Sequence, residues 1–427
     1  MGKKFLSFLG TTDYKKCCYK CGDYEDSSKF IQKALIDMLC KDWGKNDTAV
    51  IFITDTAEKL NWFNASDETR RLKQELMDSN IGVKSVSIPE CKNEDEIWQM
   101  FDILLDQIDE DDEIIFDMTH SFRSIPMLAL VVLNYAKVLK NIKIKGIYYG
   151  AYEARKTEDG IEKAPVFDMT PLNEMLEWSQ AVNSFLSYGN SSQLKNLCSG
   201  VLLNKLHEKD KMAIDINNFI KMLYDFTNDI YTCRGLYKDE KGWNKKSAGC
   251  AYKSMKEDLE TIKRSNNTLV KPLIPLFEKI DERTSEFEKG DNFKAGMAMV
   301  KWNIDNNLTQ QAYTGFDETL KTYICLKYGL DETDRECREE IAAKALRIKA
   351  QDKEENEWDV KEENRAIIKK IVSEMDDELK KITNRVTQRR NDINHFGFND
   401  SPAEYDKLNK DIRELYEEFK NHTENKA

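Results

Sequence analysis

Short apolar runs alternate with helix-spaced apolar positions through about the first 165 residues of the chain. Residues 4–9 form an apolar run ending in Gly10-Thr11-Thr12-Asp13, and residues 29–43 then carry apolar side chains at the three and four spacing of a helix. Residues 49–54 are a continuous apolar run of strand length, 68–78 read as helix, 82–88 alternate Val, Val and Ile with small or polar residues, and 94–108 are again helical. Residues 113–116 are a buried-type strand leading into Asp117-Met118-Thr119-His120. An almost wholly apolar helix follows through Leu139, and a strand at 142–149 closes the series. Strands separated by helices of this size need crossover connections. The pattern therefore predicts a doubly wound, Rossmann-like α/β domain with a mostly parallel sheet covered on both faces.

The period changes at Asp168-Met169-Thr170-Pro171. Thr170 suits a helix N-cap and Pro171 a first helical position, so a helix is expected to start there and run through Trp178. Beyond it strand signals nearly vanish. Apolar residues recur at helical spacing over 194–206, 214–231, 252–262, 295–302, 313–328, 367–386 and 405–419, which predicts an all-α second domain. The expected division is 1–168 for the α/β domain and 169–427 for the helical part. Residues 331–364 are so densely charged that a solvated helix or mobile connection is expected.

A chain of 427 residues exceeds what one core usually organises, in keeping with two domains. Its 33% charged residues, net charge of −12 and pI near 5.2 exclude a protein that coats nucleic acid through a general basic surface. Any such contact must be local, and Lys380, Lys381, Arg385, Arg389 and Arg390 form a basic stretch that no acid interrupts in sequence. No segment approaches a membrane span. The N-terminus lacks the length and cleavage site of a signal peptide, so a cytoplasmic setting with ten reduced cysteines is expected. Cys18-Tyr19-Lys20-Cys21, with Cys17 beside it, has no second pair at a zinc-finger spacing and is expected to be free thiols in a turn; no metal site is expected.

In a doubly wound domain, ligands bind outside the carboxyl ends of the strands, where amide groups point outward. Two loops belong there, Gly10-Thr11-Thr12-Asp13 and Asp117-Met118-Thr119-His120-Ser121-Phe122-Arg123. Glycine lets backbone approach a ligand, hydroxyls donate to phosphate or ribose, and a guanidinium pairs with phosphate. Together the loops point to an anionic, nucleotide-like ligand. In the helical half, Arg390-Asn391-Asp392-Ile393-Asn394-His395 sets a phosphate-gripping cation five positions before one of only four histidines. Cleavage of RNA without a metal needs such a pair: a group that moves the proton of a 2′-hydroxyl and a cation that holds the phosphate. Arg and His on a charged helix otherwise simply face solvent. On an ideal helix Asn391 and His395 share a face, whereas Arg390 lies about 140° from His395. Gly397 marks the helix end, where a protonated imidazole is favoured.

In this order, Phe-Leu-Ser-Phe-Leu-Gly-Thr-Thr-Asp-Tyr, a central Asp-x-Thr-His with a downstream Phe-Arg, an Asp-Met-Thr-Pro-Leu junction with Glu-Trp, and a late Arg-x4-His resemble the CRISPR-associated CARF and HEPN ribonucleases of type III systems. The group is the one named for its Asp-x-Thr-His-Gly motif, and this chain has Ser121 where Gly is usual. The resemblance implies a sensor domain that binds a cyclic oligoadenylate, most often the tetra-adenylate, on the two-fold axis of a homodimer. Gly10, Thr11 and Thr12 would form one wall, Thr119, His120, Ser121 and Arg123 the other, with Thr54 and Asp55 nearby. It further implies a metal-independent HEPN endoribonuclease acting on single-stranded RNA with low sequence specificity. Arg390, Asn391 and His395 would be catalytic and complete the site with the same residues of the second protomer, while Lys381 and Arg389 would contact RNA. The expected product is a 2′,3′-cyclic phosphate. Two other readings fit the same residues: a nucleotide-sensing module whose helical part only binds a partner protein, and a sensor in which Thr11, Thr119 or His120 helps cleave the cyclic activator itself. No helix-turn-helix recognition helix is evident, which disfavours a transcription factor.

Overall fold

A computed structural model of the chain describes residues 2–63, 71–120, 125–239, 242–243, 246–265, 271–288 and 290–425. It divides into two units, Met1–Glu174 and Met175–Ala427. The first unit is built on strands β1 (Lys3–Phe8), β2 (Cys17–Cys21), β3 (Tyr24–Ser28), β4 (Thr48–Ile53), β5 (Gly82–Ser87), β6 (Glu113–Asp117), β7 (Lys143–Gly150), β8 (Lys156–Glu158) and β9 (Ile161–Asp168). They run side by side in the order β3-β2-β9-β7-β6-β1-β4-β5, with β8 attached to β9. β1 pairs in parallel with β4 on one side and β6 on the other, and β4–β5 and β6–β7 are parallel as well.

Side-chain alternation along β1 explains the two layers. Phe5 and Leu9 enter one core with helices α1 (Ile31–Leu39) and α3 (Leu72–Leu76), while Leu6 and Phe8 enter the other with α4 (Glu94–Asp106) and α5 (Ile125–Lys140). A short turn, α2 (Asp55–Ala57), follows β4. The expected fold class is thus observed, with additions. The β2–β3 hairpin, β8 and β9 are strands that the apolar pattern does not reveal. β9 runs antiparallel to β7 and parallel to β2, so the sheet is mixed at that side. Cys17 and Cys18 are therefore buried strand residues and not turn thiols, and all ten cysteines are free. Only Leu72–Leu76 of the expected helix 68–78 is described as helix; residues 64–70 lie outside the described set.

The second unit is largely helical, and helix α6 (Thr170–Tyr188) leads into it from the junction. Its further helices are α7 (Ser192–Val201), α8 (Leu203–His207), α9 (Lys211–Tyr231), α10 (Ala248–Lys263), α11 (Ile274–Thr284), α12 (Asn292–Asp305), α13 (Thr309–Lys327), α14 (Ala343–Ala350), α15 (Glu362–Glu374), α16 (Asp377–Asn394) and α17 (Tyr405–Glu424). The expected helix over 367–386 is two helices. Asp376 breaks it and caps α16, accepting a hydrogen bond from the Leu379 amide at 2.9 Å. The charged stretch 331–364 is also not a solvated connection: a π-turn (Glu336–Ala342) and α14 bury Ile341, Ala342, Ala345, Leu346 and Ile348 in the core beside α13 and α16. Among the described residues no helix is long and apolar enough to cross a membrane.

Candidate functional site

Chain order places the first site. After β1 the chain first lays the β2–β3 hairpin at the far edge; among the central parallel strands it then adds β4 and β5 on one side of β1 and β6 and β7 on the other, so β1 and β6 flank the point where their order reverses. Connections that leave such a point in opposite directions open a crevice at the carboxyl edge as a rule, and this edge is the general ligand position of such sheets. Both expected loops open at this point.

The crevice is shaped by buried polar groups. Ser7 and Asp117 are opposite one another across β1 and β6, and both are fully buried. Asp117 accepts from the Ser7 hydroxyl at 2.7 Å and from the Thr119 amide at 3.0 Å, which turns the chain sharply after β6. Burial pushes the Asp117 carboxyl above its ordinary range, and the bonds from Thr119 and Ser7 oppose that rise. The Thr119 hydroxyl accepts from the Gly150 amide at 2.8 Å and so ties the turn to the end of β7. On the other side, buried Asn61 donates to the carbonyls of Gly10 and Thr12 at 2.9 and 3.0 Å. The Gly10 amide donates to the Tyr14 hydroxyl at 2.8 Å. A Cβ at Gly10 would meet that hydroxyl at 2.9 Å and the His120 Cβ at 3.3 Å, which is why glycine stands there.

Of the expected ligand residues, Gly10 and His120 are brought together around Tyr14, whose ring meets the imidazole edge-on at 4.7 Å between centroids. Burial lowers the His120 pKa to about 4, with Glu153 opposing, so the ring is neutral at pH 7. Thr11 and Thr12 are exposed at the crevice. Thr54 is buried, and its hydroxyl accepts from the Ala57 amide at 3.2 Å, a helix cap rather than an outward-facing group. Asp55 is exposed in the following turn. Ser121 and Arg123 lie outside the described residues. Sequence reasoning did not single out Ser7, Tyr14 or Asn61; only the polar Ser7 within an apolar strand offered a signal.

The second group sits at the end of α16. His395 is the C-cap of that helix, exposed, with its amide bonded to the Asn391 carbonyl at 2.9 Å, and Phe396 and Gly397 follow with positive φ. Asn391 is exposed like His395, in line with their shared face. Arg390 is turned elsewhere: its guanidinium reaches Asp317 of α13 at 3.4 Å, and its Nε is buried without a hydrogen-bond partner among the described residues. Burial raises the Asp317 pKa, while Lys321 and Arg390 pull it back. The basic stretch is not bare. Lys380 pairs with Asp352, Arg385 with Glu418, and Arg389 with Asp411 at 2.7 Å, so folding supplies the acids that sequence proximity lacked. Arg389, expected on RNA, is thus partly neutralised, and Lys381 is exposed.

Comparison with known proteins bears on the first unit. Residues 4–153 match the family model described as CRISPR system endoribonuclease Csx1, CARF domain. Both crevice loops fall inside the CARF match. The chain is also 28% identical over 290 residues to CRISPR-associated protein MJ1674 of Methanocaldococcus jannaschii, a match that covers 64% of this chain and spans 40% of that relative's length. Among solved structures, Enterococcus italicus Csm6 bound to cyclic hexa-2′-fluoro-hexa-dAMP is similar with a TM-score of 0.44 at 11% identity, over 99% of this chain and 93% of that one.

Proposed function

We propose that the chain is a cyclic oligoadenylate-activated, metal-independent endoribonuclease of type III CRISPR defence, with a CARF sensor at its N-terminus and a HEPN-type site at the end of α16. The observation that carries this reading is the coincidence of the CARF match with the switch-point crevice between β1 and β6. The crevice offers an anionic ligand the exposed Thr11 and Thr12, and a neutral His120 whose ring can meet a base without repelling or requiring charge. Cyclic tetra-adenylate is the activator proposed first.

In the helical unit, the RNA's own 2′-oxygen attacks the adjacent phosphorus and the 5′-oxygen leaves, producing a 2′,3′-cyclic phosphate. His395 moves a proton. Its exposed place at the C-cap of α16 leaves the ring free to donate to the leaving oxygen. Arg390 holds the phosphate and Asn391 orients it. The same residues of a second protomer complete the site. An exposed apolar stripe on α5, Met127, Val131, Tyr135 and Val138, supports self-association of the sensor.

The test is to incubate purified protein and labelled single-stranded RNA with cyclic tri-, tetra- or hexa-adenylate, with and without EDTA. Cleavage that depends on one ring, ends in cyclic phosphate and survives EDTA is the expected result. Absence of cleavage with every ring, or loss of cleavage to chelation, would sink the reading.

A further inference from the structure

Beside Arg390 a cleft of about 340 Å³ opens between α13, α14 and α16. That is the lower end of small-molecule pockets, which begin at roughly 300 Å³, and suits one nucleotide rather than a duplex. Leu320, Ala343, Leu346 and Ala350 form an apolar floor, and polar side chains line the α16 wall. Asn384, Thr387 and Asn391 stand at i, i+3 and i+7 of α16, one row of amides and a hydroxyl along a single face. Gln351 faces them from the end of α14, and Arg390 closes the cleft next to Asn391.

The charges in it are unequal. Lys321 is held by Glu318 at 2.8 Å and Glu339 at 3.2 Å, and Arg390 by Asp317. Arg347, exposed on α14, has no carboxylate partner among the described residues. It is the cation of the cleft that no carboxylate holds among the described residues, whereas Arg390 must exchange Asp317 for the scissile phosphate.

We propose that this cleft is the substrate subsite for the nucleotide next to the scissile phosphate of single-stranded RNA, with Arg347 gripping the neighbouring phosphate and the Asn384–Thr387–Asn391 row meeting base or ribose. The choice of RNA as occupant rests on the ribonuclease reading above. Single-stranded RNA is read by hydrogen bonds to splayed bases and by guanidinium groups. Amides and hydroxyls both donate and accept, so this row holds any base and confers little sequence preference. Entry of a nucleotide here sets its phosphate against Arg390.

The test uses His395→Ala protein with cyclic tetra-adenylate, and fluorescence anisotropy of a labelled single-stranded oligoribonucleotide at several salt concentrations. Adding Arg347→Ala is expected to weaken binding about tenfold, as for loss of one charge-assisted contact. The slope of log affinity against log salt should fall by about 0.7, the value for one phosphate contact on a single strand. Arg347→Lys should restore the slope, and Thr387→Val should weaken binding with the slope unchanged. Equal affinity and slope for the Arg347→Ala and parent proteins, or a parent that binds no RNA, overturns the subsite. Wild-type cleavage assays run beside these separate the two ideas. Cleavage with an unaffected slope keeps the ribonuclease reading and removes the subsite. No cleavage with a reduced slope removes the ribonuclease reading, overturns the cleft's role as a substrate subsite and leaves it only as a place where RNA binds.

Discussion

At the scale of single residues, two titratable groups of the first unit, the buried Asp117 and the half-buried His120, act on stability with opposite signs. Asp117 has its pKa raised by burial. An acid whose folded pKa lies above its unfolded one binds a proton on folding, so its contribution falls as pH rises upward from about 4. Asp117→Asn keeps an acceptor for the Thr119 amide, and the Ser7 hydroxyl can turn to accept from the new NH2 group. The expected outcome in calorimetry at pH 7.5 is a melting temperature no lower than wild type, whereas Asp117→Ala, which strands both donors, costs about 1–3 kcal/mol. A large loss in the Asn variant would show that the ionised form is the one the fold requires. His120 behaves the other way. Its pKa is depressed to about 4, so the stability it contributes is present above the ordinary value near 6.5 and is lost as pH falls from there through about 4. His120→Gln should flatten that acid limb by at most about 3 kcal/mol, and melting curves between pH 4 and 7 measure it.

Arg338 shows how an element is locked. It lies in the π-turn before α14 and donates to the Thr322 hydroxyl at 2.9 Å, the Glu332 carbonyl at 2.8 Å and, through its other nitrogen, the Glu318 carbonyl at 3.0 Å and carboxylate at 2.7 Å. One guanidinium therefore pins the charged 331–342 segment to α13. Arg338→Ala should destabilise the helical unit by about 2–3 kcal/mol, since a half-buried carboxylate and several acceptors lose their donor. A change under about 0.5 kcal/mol in chemical denaturation would mean the turn is held by its apolar residues alone. This segment also shows what the chain hides from a reading of its pattern. Through this segment and α14 the acids and bases outnumber the core positions Ile341, Ala345 and Ile348, and only the packing partners on α13 and α16 make those positions decisive. The β2–β3 hairpin and β9 are obscured for a related reason: Tyr24, Glu25, Ile161 and Glu162 leave much of these strands exposed, so neither alternation nor an apolar run stands out. By contrast β1, β4 and β6 are buried on both faces, and the loops that follow them were legible because turn residues directly follow long apolar runs. The resemblance put Thr54 near the ligand by its position at the end of a strand, and position alone cannot tell a capping hydroxyl from an outward one.

For the whole molecule, the proposed activity requires that ligand in one unit change what the other does, and thermodynamics constrains how. If cyclic oligoadenylate raises RNA affinity by some factor, RNA must raise activator affinity by the same factor, typically about 5–150-fold for coupled sites. His395→Ala is the protein in which to measure this, because it should abolish cleavage and leave both ligands intact while retaining the activator crevice unchanged. Calorimetric titration of cyclic tetra-adenylate into this variant, with and without saturating single-stranded RNA, is expected to give tighter binding in the presence of RNA. Equal affinities would mean that the activator does not gate RNA entry and acts on the chemical step alone, after RNA is bound. The proposed dimer enters the same balance. A charge on the exposed α5 stripe, Val131→Asp, should weaken self-association seen by analytical ultracentrifugation and make cleavage depend on protein concentration, since a site completed by two protomers exists only in the dimer. Cleavage that stays proportional to protein at every dilution, with the variant monomeric, would show that one protomer carries the whole catalytic site.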